Sequence, residues 1–267
     1  MNNLIRISFV TIKDQMRQKS FYLLLTIAVL FILLIRSCYQ GDYSVNGRQV
    51  DSVSLAWHAS LFVFHFISAG MFLMTSMLSM SIFSRDGDDG SMVMFLSRSV
   101  DRWQYALGRI TGIWILSAAF MLILHLTIFL IVLANTGGII PGYLTASLLC
   151  SVNLLFAIVL TCLLSLYLPN FIAAMFTLGI IGISFISDGA HQVIQSELVQ
   201  RMISGETHTS LWRILYPKVY MLQHYASTLI THNEFEGMGP MYTWLNIVLY
   251  TLLLAAALLW CFHRKEI

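Results

Sequence analysis

The sequence has 267 residues, of which 58% are hydrophobic and 10% are charged, and its formal net charge is +2. Soluble domains are about half apolar and about a quarter charged, so this composition excludes an ordinary soluble protein. It predicts an integral membrane protein, and no nucleic-acid partner is expected.

Residues 1–20 come before the first apolar run and have helical periodicity. Ile5, Phe9, Ile12 and Met16 would share one face of a helix, and basic residues would share an adjacent face. This pattern predicts a helix lying at an anionic membrane surface. The alternative is a basic flank that merely orients the first span. The predicted surface-binding residues are Arg6, Phe9, Lys13 and Arg17.

Apolar runs of a length suited to the bilayer predict six transmembrane helices. Charge, proline or glycine separates them, and alternating strand patterns are absent, so the predicted fold class is all-α. The predicted spans are Phe21–Ile35, Trp57–Phe83, Tyr105–Ala134, Tyr143–Leu168, Phe171–Ser187 and Met241–Phe262.

The arginine and lysine distribution predicts the orientation of these spans. When successive segments alternate across the membrane, ten basic residues fall on one side and five on the other. The richer side is predicted to be cytoplasmic. Both termini and residues 84–103 are therefore placed inside, and residues 188–240 outside. We expect a single multi-pass domain in the inner (plasma) membrane.

The segment 84–109 is a charged island with four aspartates and four arginines between two apolar runs. Its middle predicts a short helix with an apolar surface, which would dock into a partner's groove while the flanking charges fix its orientation. The alternative is a charged loop that obeys the positive-inside rule. The predicted docking residues are Asp86, Asp88, Asp89, Met92, Phe95, Leu96, Arg98 and Arg102.

This stretch, "SRDGDDGSMVMFLSRSVDRWQYALGR", resembles the cytoplasmic loop of type-two permeases of ATP-binding-cassette (ABC) exporters. Gly90–Ser91 matches the family's Gly-Thr pair, and Phe95–Ser97 matches its Leu-Leu-Ser. Val100–Arg102 matches its Val-x-Arg, and Leu107–Arg109 its Leu-Gly-Lys end. The six-span layout extends the resemblance over nearly the whole chain.

Two positions depart from the family pattern: Ser99 stands where proline is common, and Val93 where glutamate is frequent. The resemblance implies an amino-terminal elbow helix, an ATPase-docking loop, and outer helices between spans five and six that line an exit or hold a periplasmic partner. It also implies a second permease copy or a paralogue, and contact with membrane lipid.

A nucleotide-binding P-loop needs a Gly-Lys-Ser/Thr sequence so that the lysine reaches the phosphates. No lysine of this chain follows a glycine; the four are Lys13, Lys19, Lys218 and Lys265. If the chain belongs to an ABC system, a separate ATPase dimer must hold ATP and Mg. This chain is then expected to be neither an enzyme nor a cofactor carrier.

Other functions depend on polar residues within the spans. Apart from Arg109, the predicted spans carry no Asp, Glu, Lys or Arg, which argues against an ion-coupled transporter. His58 and His65 share a helical face, so a haem-bearing electron-transfer protein is one alternative. Hydrogen-bonded histidines at helix interfaces are the favoured interpretation. The first alternative to the permease, placed before haem, is a non-transport assembly factor for a metalloprotein or surface apparatus that works through a periplasmic partner.

The segment 188–240 is the longest polar stretch and shows apolar residues at helical spacing in two places. Short amphipathic helices at the outer surface are therefore predicted. Its histidines lack the spacing of metal ligands, so no metal site is assigned; they are His191, His208, His224 and His232.

Overall fold

The structure is a computed structural model, and it describes residues 3–38, 44–45, 48–49, 52–88, 100–195, 216–231, 235 and 240–264. Nearly all of these residues are helical. The helices are α1 Asn3–Met16, α2 Lys19–Cys38, α3 Ser52–Ser79, α4 Ile82–Asp88, α5 Arg102–Thr136, α6 Tyr143–Ser165, α7 Asn170–Gln195, α8 Val219–Thr231 and α9 Pro240–Arg264.

Two very short strands lie between α2 and α3. β1 (Ser44–Val45) and β2 (Arg48–Gln49) pair antiparallel, with Ser44 opposite Gln49. They leave the predicted all-α class unchanged.

Five helical segments of the described chain are long and apolar enough to cross a membrane. They are Trp57–Asp86, Arg102–Asn135, Tyr143–Ser165, Asn170–Ala190 and Met241–Arg264. A sixth crossing is present if the pair Asn3–Met16 and Phe21–Arg36, bent by 69°, counts as one span. The polytopic helical architecture is thus confirmed for five spans, and the span predicted at Phe21–Ile35, which falls within α2, stays a prediction.

The predicted helix breaks coincide with observed ones. α5 ends at Thr136 and α6 begins after Gly142, whose backbone has a φ of 77°. A Cβ at Gly142 would lie 2.2 Å from the carbonyl oxygen of Leu229 in α8, so only glycine permits both this turn and this close approach. Pro169 and the start of α7 at Asn170 form the predicted tight connection after α6.

The centre of the bundle is α6. In its most apolar stretch 67% of the residues are buried, against 28% in α7 and 22% in α9. The outward sides of α7 and α9 carry exposed large apolar side chains, among them Phe171, Ile186, Met241 and Leu252. A bilayer is the environment in which such surfaces are stable, because water would not solvate them.

α1 and the end of α9 lie at the same end of the bundle. Asp14 of α1 pairs with Arg109 near the start of α5, and Arg102 donates to the carbonyl of His263 near the end of α9, at 3.0 Å. We call this the α4 end, because α4 also lies there, and the opposite one the α8 end. That the α4 end faces the cytoplasm stays a prediction.

Two predicted boundaries need correction. Residues 84–88 belong to α4 rather than to a loop, because the turn at Met80–Ser81 is followed by a further helical segment. Asp188 was placed in the outer segment, but α7 continues through it to Gln195. The polar residue does not end the helix, because its side chain has a partner inside the protein.

Candidate functional site

The α4 end contains a buried cluster that joins three helices. Arg109 Nη2 lies 2.7 Å from Asp86 Oδ2, and Arg109 Nη1 lies 3.2 Å from Asp14 Oδ2. Tyr105, one turn earlier in α5, donates its hydroxyl to the same Asp86 oxygen. We call Asp14, Asp86, Tyr105 and Arg109 the arginine clamp. It ties α1, α4 and α5 together beside the predicted docking segment.

The clamp is unequal in charge and exposure. One guanidinium serves two carboxylates, so the cluster has a formal surplus of one negative charge. The Arg109 and Asp86 side chains are 3% and 4% exposed, whereas Asp14 is 38% exposed. A buried charge is stable only when it is paired and hydrogen-bonded. Asp86 therefore depends on Arg109 far more than Asp14 does, because water can solvate Asp14.

Close packing of α1 against α5 brings Asp14 within reach of Arg109. Gly108 and Gly112 lie four residues apart on one side of α5, where a Cβ would come within 2.8 Å of Ile7 and 2.7 Å of Thr11. Ser8 donates to the Gly108 carbonyl at 3.0 Å. Glycines at this spacing allow helix backbones to approach closely in membranes. This four-residue spacing is visible in the sequence, but the close contact between α1 and α5 was not predicted from it.

Further polar contacts anchor α4 and the start of α5. Ser84 and Asn170, at the start of α7, exchange hydrogen bonds of 2.8 and 3.1 Å. Gln15 of α1 donates to the Leu78 carbonyl of α3 at 3.5 Å. The helices that flank residues 89–99 are thus fixed to α1, α7 and α9, and α1 is itself fixed to α3.

The structure places only some of the predicted docking residues. Asp86 is buried in the clamp, so its side chain is not part of an exposed rim. Arg102 is partly buried and bonds to the His263 carbonyl. Asp88 is the last residue of α4, and its side chain is not described. The other predicted docking residues lie outside the described chain: Asp89, Met92, Phe95, Leu96 and Arg98. The docking role of the segment stays a prediction.

The predicted amino-terminal helix is present as α1. Arg6, Phe9, Lys13 and Arg17 are all exposed, Phe9 by 64%. The side that packs on α5 is a different one, built by Ile7, Ser8, Thr11 and Gln15. Of the predicted apolar face, Ile5, Phe9 and Met16 are thus exposed, whereas Ile12 is partly buried and packs against the core. The location of this helix at a membrane surface stays a prediction.

A second buried ion pair lies at the α8 end. Lys218 Nζ is 2.9 Å from Asp188 Oδ1, and the two side chains are 2% and 0% exposed. Tyr216 donates its hydroxyl to the same Asp188 oxygen, and its ring centre lies 3.9 Å from Lys218 Nζ. We call Asp188, Tyr216 and Lys218 the lysine latch. The sequence pattern does not reveal these two charges as an ion pair, because they lie 30 residues apart.

Backbone contacts complete the latch. Ser184 of α7 donates to the Pro217 carbonyl at 2.9 Å, and the Lys218 amide donates to Asn246 Oδ1 of α9 at 2.9 Å. Burial raises the pKa of Tyr220, the second residue of α8, and the charge of Asp188 raises it further, so this phenol stays protonated at neutral pH. The chain that returns from residues 196–215 is thus held between α7 and α9.

The histidines inside the bundle have hydrogen-bonding partners on other helices. His65 Nδ1 lies 3.0 Å from Gln223 Nε2, and His125 Nδ1 lies 2.8 Å from Ser147 Oγ. Within the described residues, no three His, Cys, Asp or Glu side chains gather as a metal ion would need. These contacts agree with the interpretation of His65 and His125 as interface histidines.

No family model matches this sequence, and no curated protein matches it. The resemblance to ABC permeases therefore depends on residues 84–109 and on the helical layout.

Proposed function

We propose that this chain is the permease subunit of an ABC transporter, driven by a separate ATPase chain. It would export a substrate or transmit a conformational change to the outer face. The observation that carries the proposal is the arginine clamp. It fixes the helix that leads into the predicted docking segment to the long helix that leaves it, and to α1.

The clamp suits the transmission of movement. α5 has 35 residues, and at 1.5 Å per residue it is about 52 Å long, enough to reach from the α4 end past the far side of a bilayer core of about 30 Å. Because Asp86 and Arg109 are buried and paired, α4 and α5 would move together rather than slide past each other. A displacement of the docking segment would then reach the α8 end through α5.

In this proposal ATP and Mg belong to the partner ATPase dimer, and two permease chains, identical or paralogous, form the membrane part. The predicted orientation puts the α4 end and both termini in the cytoplasm, on the same side of the membrane as the ATPase. The lysine latch then lies at the outer face, beside the predicted exit or periplasmic-partner region.

The second candidate function is ion-coupled transport, and the lysine latch favours it. Ionisable residues inside a membrane are rare and commonly mark ion or proton pathways. The predicted spans lack such residues apart from Arg109, but in the structure Asp188 lies within the span Asn170–Ala190. The two latch charges neutralise each other, as a structural pair would, so the ABC proposal is preferred.

One experiment separates the two candidates. The chain is purified with a tag from native membranes in mild detergent, and co-purifying ATPase activity is measured. The ABC proposal expects a nucleotide-hydrolysing subunit in the purified complex, whose ATP hydrolysis changes when the permease is removed. Transport activity of the chain alone in vesicles, abolished by a protonophore, would replace the ABC proposal with the ion-coupled one.

A further inference from the structure

A cleft of about 220 Å³ lies between α2, α3 and α5. Its lining includes Leu24 and Phe31 of α2, Gly70 and Met74 of α3, and Phe120 of α5. Every residue that lines it is apolar. It is larger than the apolar cavities of about 150 Å³ that stay dry and admit small hydrophobic molecules.

Aromatic contacts close the cleft at both ends. Phe31 stacks on Phe66 with 4.5 Å between ring centres, and Phe21 meets Phe120 edge-on at 6.0 Å. Between these contacts the cleft opens beside Gly70. A Cβ at Gly70 would meet no atom within 4 Å, so the open volume begins at this glycine.

The cleft lies near the middle of the membrane-spanning helices. Gly70 is 13 residues after Trp57 and 16 before Asp86 in its span (70 − 57 and 86 − 70), or about 20 Å and 24 Å along the helix. Phe120 is 18 residues after Arg102 and 15 before Asn135 (120 − 102 and 135 − 120). At this depth water is absent, and the lining offers it no hydrogen-bonding partner.

We infer that this cleft binds one acyl chain of a bilayer phospholipid as a fixed ligand. Hydrocarbon is the only chemistry that both this depth and this lining accept. Apolar surface gains no hydrophobic free energy by leaving lipid for protein, so the preference for a bound chain comes from van der Waals contacts in a concave site. A convex helix face offers fewer such contacts.

α2 gives this ligand a structural role. Its side away from the cleft is exposed, with Leu23 and Leu34 more than half accessible, whereas Phe21, Phe31 and the buried Ile35 contact the bundle. A chain in the cleft fills the space between the contacts of Phe21 and Phe31. The inference does not depend on the proposed function, since it needs only a bilayer.

The test uses a phosphatidylcholine that carries a diazirine on one acyl chain. The full-length protein is reconstituted in nanodiscs with this lipid and irradiated, and the labelled residues are identified by mass spectrometry. We expect Leu24 and Leu124, partly buried residues that line the cleft, to be labelled roughly fivefold more than Leu249 and Leu252 on the exposed face of α9, the ratio that about 1 kcal/mol of preference gives. Equal labelling of the two sites would overturn the inference, because it would show exchanging bulk lipid only.

Gly70→Leu is the decisive variant, since Gly70 lines the cleft and a Cβ there meets no atom within 4 Å. We expect labelling in the cleft to fall to the level of the α9 face. The matched control is Gly179→Leu in α7, another helical glycine whose Cβ meets nothing within 4 Å, and it should leave the labelling unchanged. If Gly70→Leu fails to insert, Gly70→Ala should give intermediate labelling.

Two results would contradict the inference. One is undiminished labelling of Leu24 and Leu124 in folded Gly70→Leu or, where only Gly70→Ala inserts, in Gly70→Ala. The other is efficient disulfide formation between two copies of a Gly70→Cys variant in the membrane, which would identify a second copy of the chain as the occupant of the cleft.

Discussion

The two ends of the bundle hold buried charge in different ways. In the arginine clamp one cation serves two carboxylates, and one of these, Asp14, is 38% exposed. In the lysine latch one cation meets one carboxylate, and both are at most 2% exposed. Among these residues the latch is neutral and sealed, whereas the clamp has a second carboxylate at its accessible edge. Water is thus excluded from both charges of the latch, but it reaches Asp14 of the clamp.

The largest expected effect is at the latch. Lys218→Met leaves Asp188 buried without its cation, which should lower the free energy of unfolding by about 3–5 kcal/mol. Unfolding of the detergent-purified protein, followed by heat or denaturant, measures this loss. The double variant Asp188→Asn with Lys218→Met should recover most of it, because a missing pair costs less than a single buried charge.

A single Lys218→Met variant as stable as the parent would remove the distinction between a sealed latch and a partly exposed clamp. A double variant no more stable than the single one would mean that Lys218 acts by its packing on Tyr216, which the structure places 3.9 Å from the ammonium group.

The clamp should respond less strongly and unequally. Arg109→Met leaves Asp86 with the Tyr105 hydroxyl, which still donates to it, so we expect a loss of about 3 kcal/mol. The matched change Asp14→Asn should cost less than about 1 kcal/mol, because water solvates this side chain. The same unfolding measurement applies to both. Equal losses would show that the clamp is as sealed as the latch.

Variants of the predicted docking segment test whether the segment beside the clamp binds an ATPase. Phe95→Ala should weaken binding of the co-purifying ATPase by about 2 kcal/mol, roughly thirtyfold, because apolar anchors dominate such interfaces. Met92→Ala should act in the same direction, while Asp88→Asn, the removal of one rim charge, should have a smaller effect. Pull-down titrations compare the three. Undiminished binding and coupled hydrolysis in both apolar variants would instead support the alternative, in which the segment is a charged loop that follows the positive-inside rule.

Hydropathy and helix breakers predicted most of the architecture, because lipid imposes length and apolarity on each span separately. The break before Tyr143 and the turn at Pro169 could be predicted since glycine and proline act locally. The ion pairs could not be predicted in this way. Asp188 and Lys218 lie far apart in sequence. In the sequence Asp86 resembles a charged loop residue, because its burial depends on the packing of α5.

Some signals of the clamp were nevertheless present in the sequence. Arg109 was the single charge in the predicted spans, and a charge in that position requires a partner nearby. Gly108 and Gly112 marked a side of α5 that another helix could approach closely. Together they pointed to a helix carrying a carboxylate, and α1 with Asp14 is that helix.

The last prediction concerns the close approach of α1 to α5. Whether a substitution there raises or lowers stability tests that approach. At Gly112 an added methyl would lie 2.7 Å from Thr11 Cβ and 2.8 Å from the Ser8 carbonyl oxygen, so α1 must move. Overpacking of this kind costs about 1–3 kcal/mol, and the better helix propensity of alanine returns about 1 kcal/mol, which leaves a net loss of about 1 kcal/mol for Gly112→Ala. Gly179→Ala has the same propensity gain and no neighbour within 4 Å, so it should be neutral or slightly stabilising. Opposite signs in the unfolding measurement would support a clamp that needs direct contact between α1 and α5. The same sign for both variants would mean that α1 is loosely held and that Asp14 contributes little to the clamp.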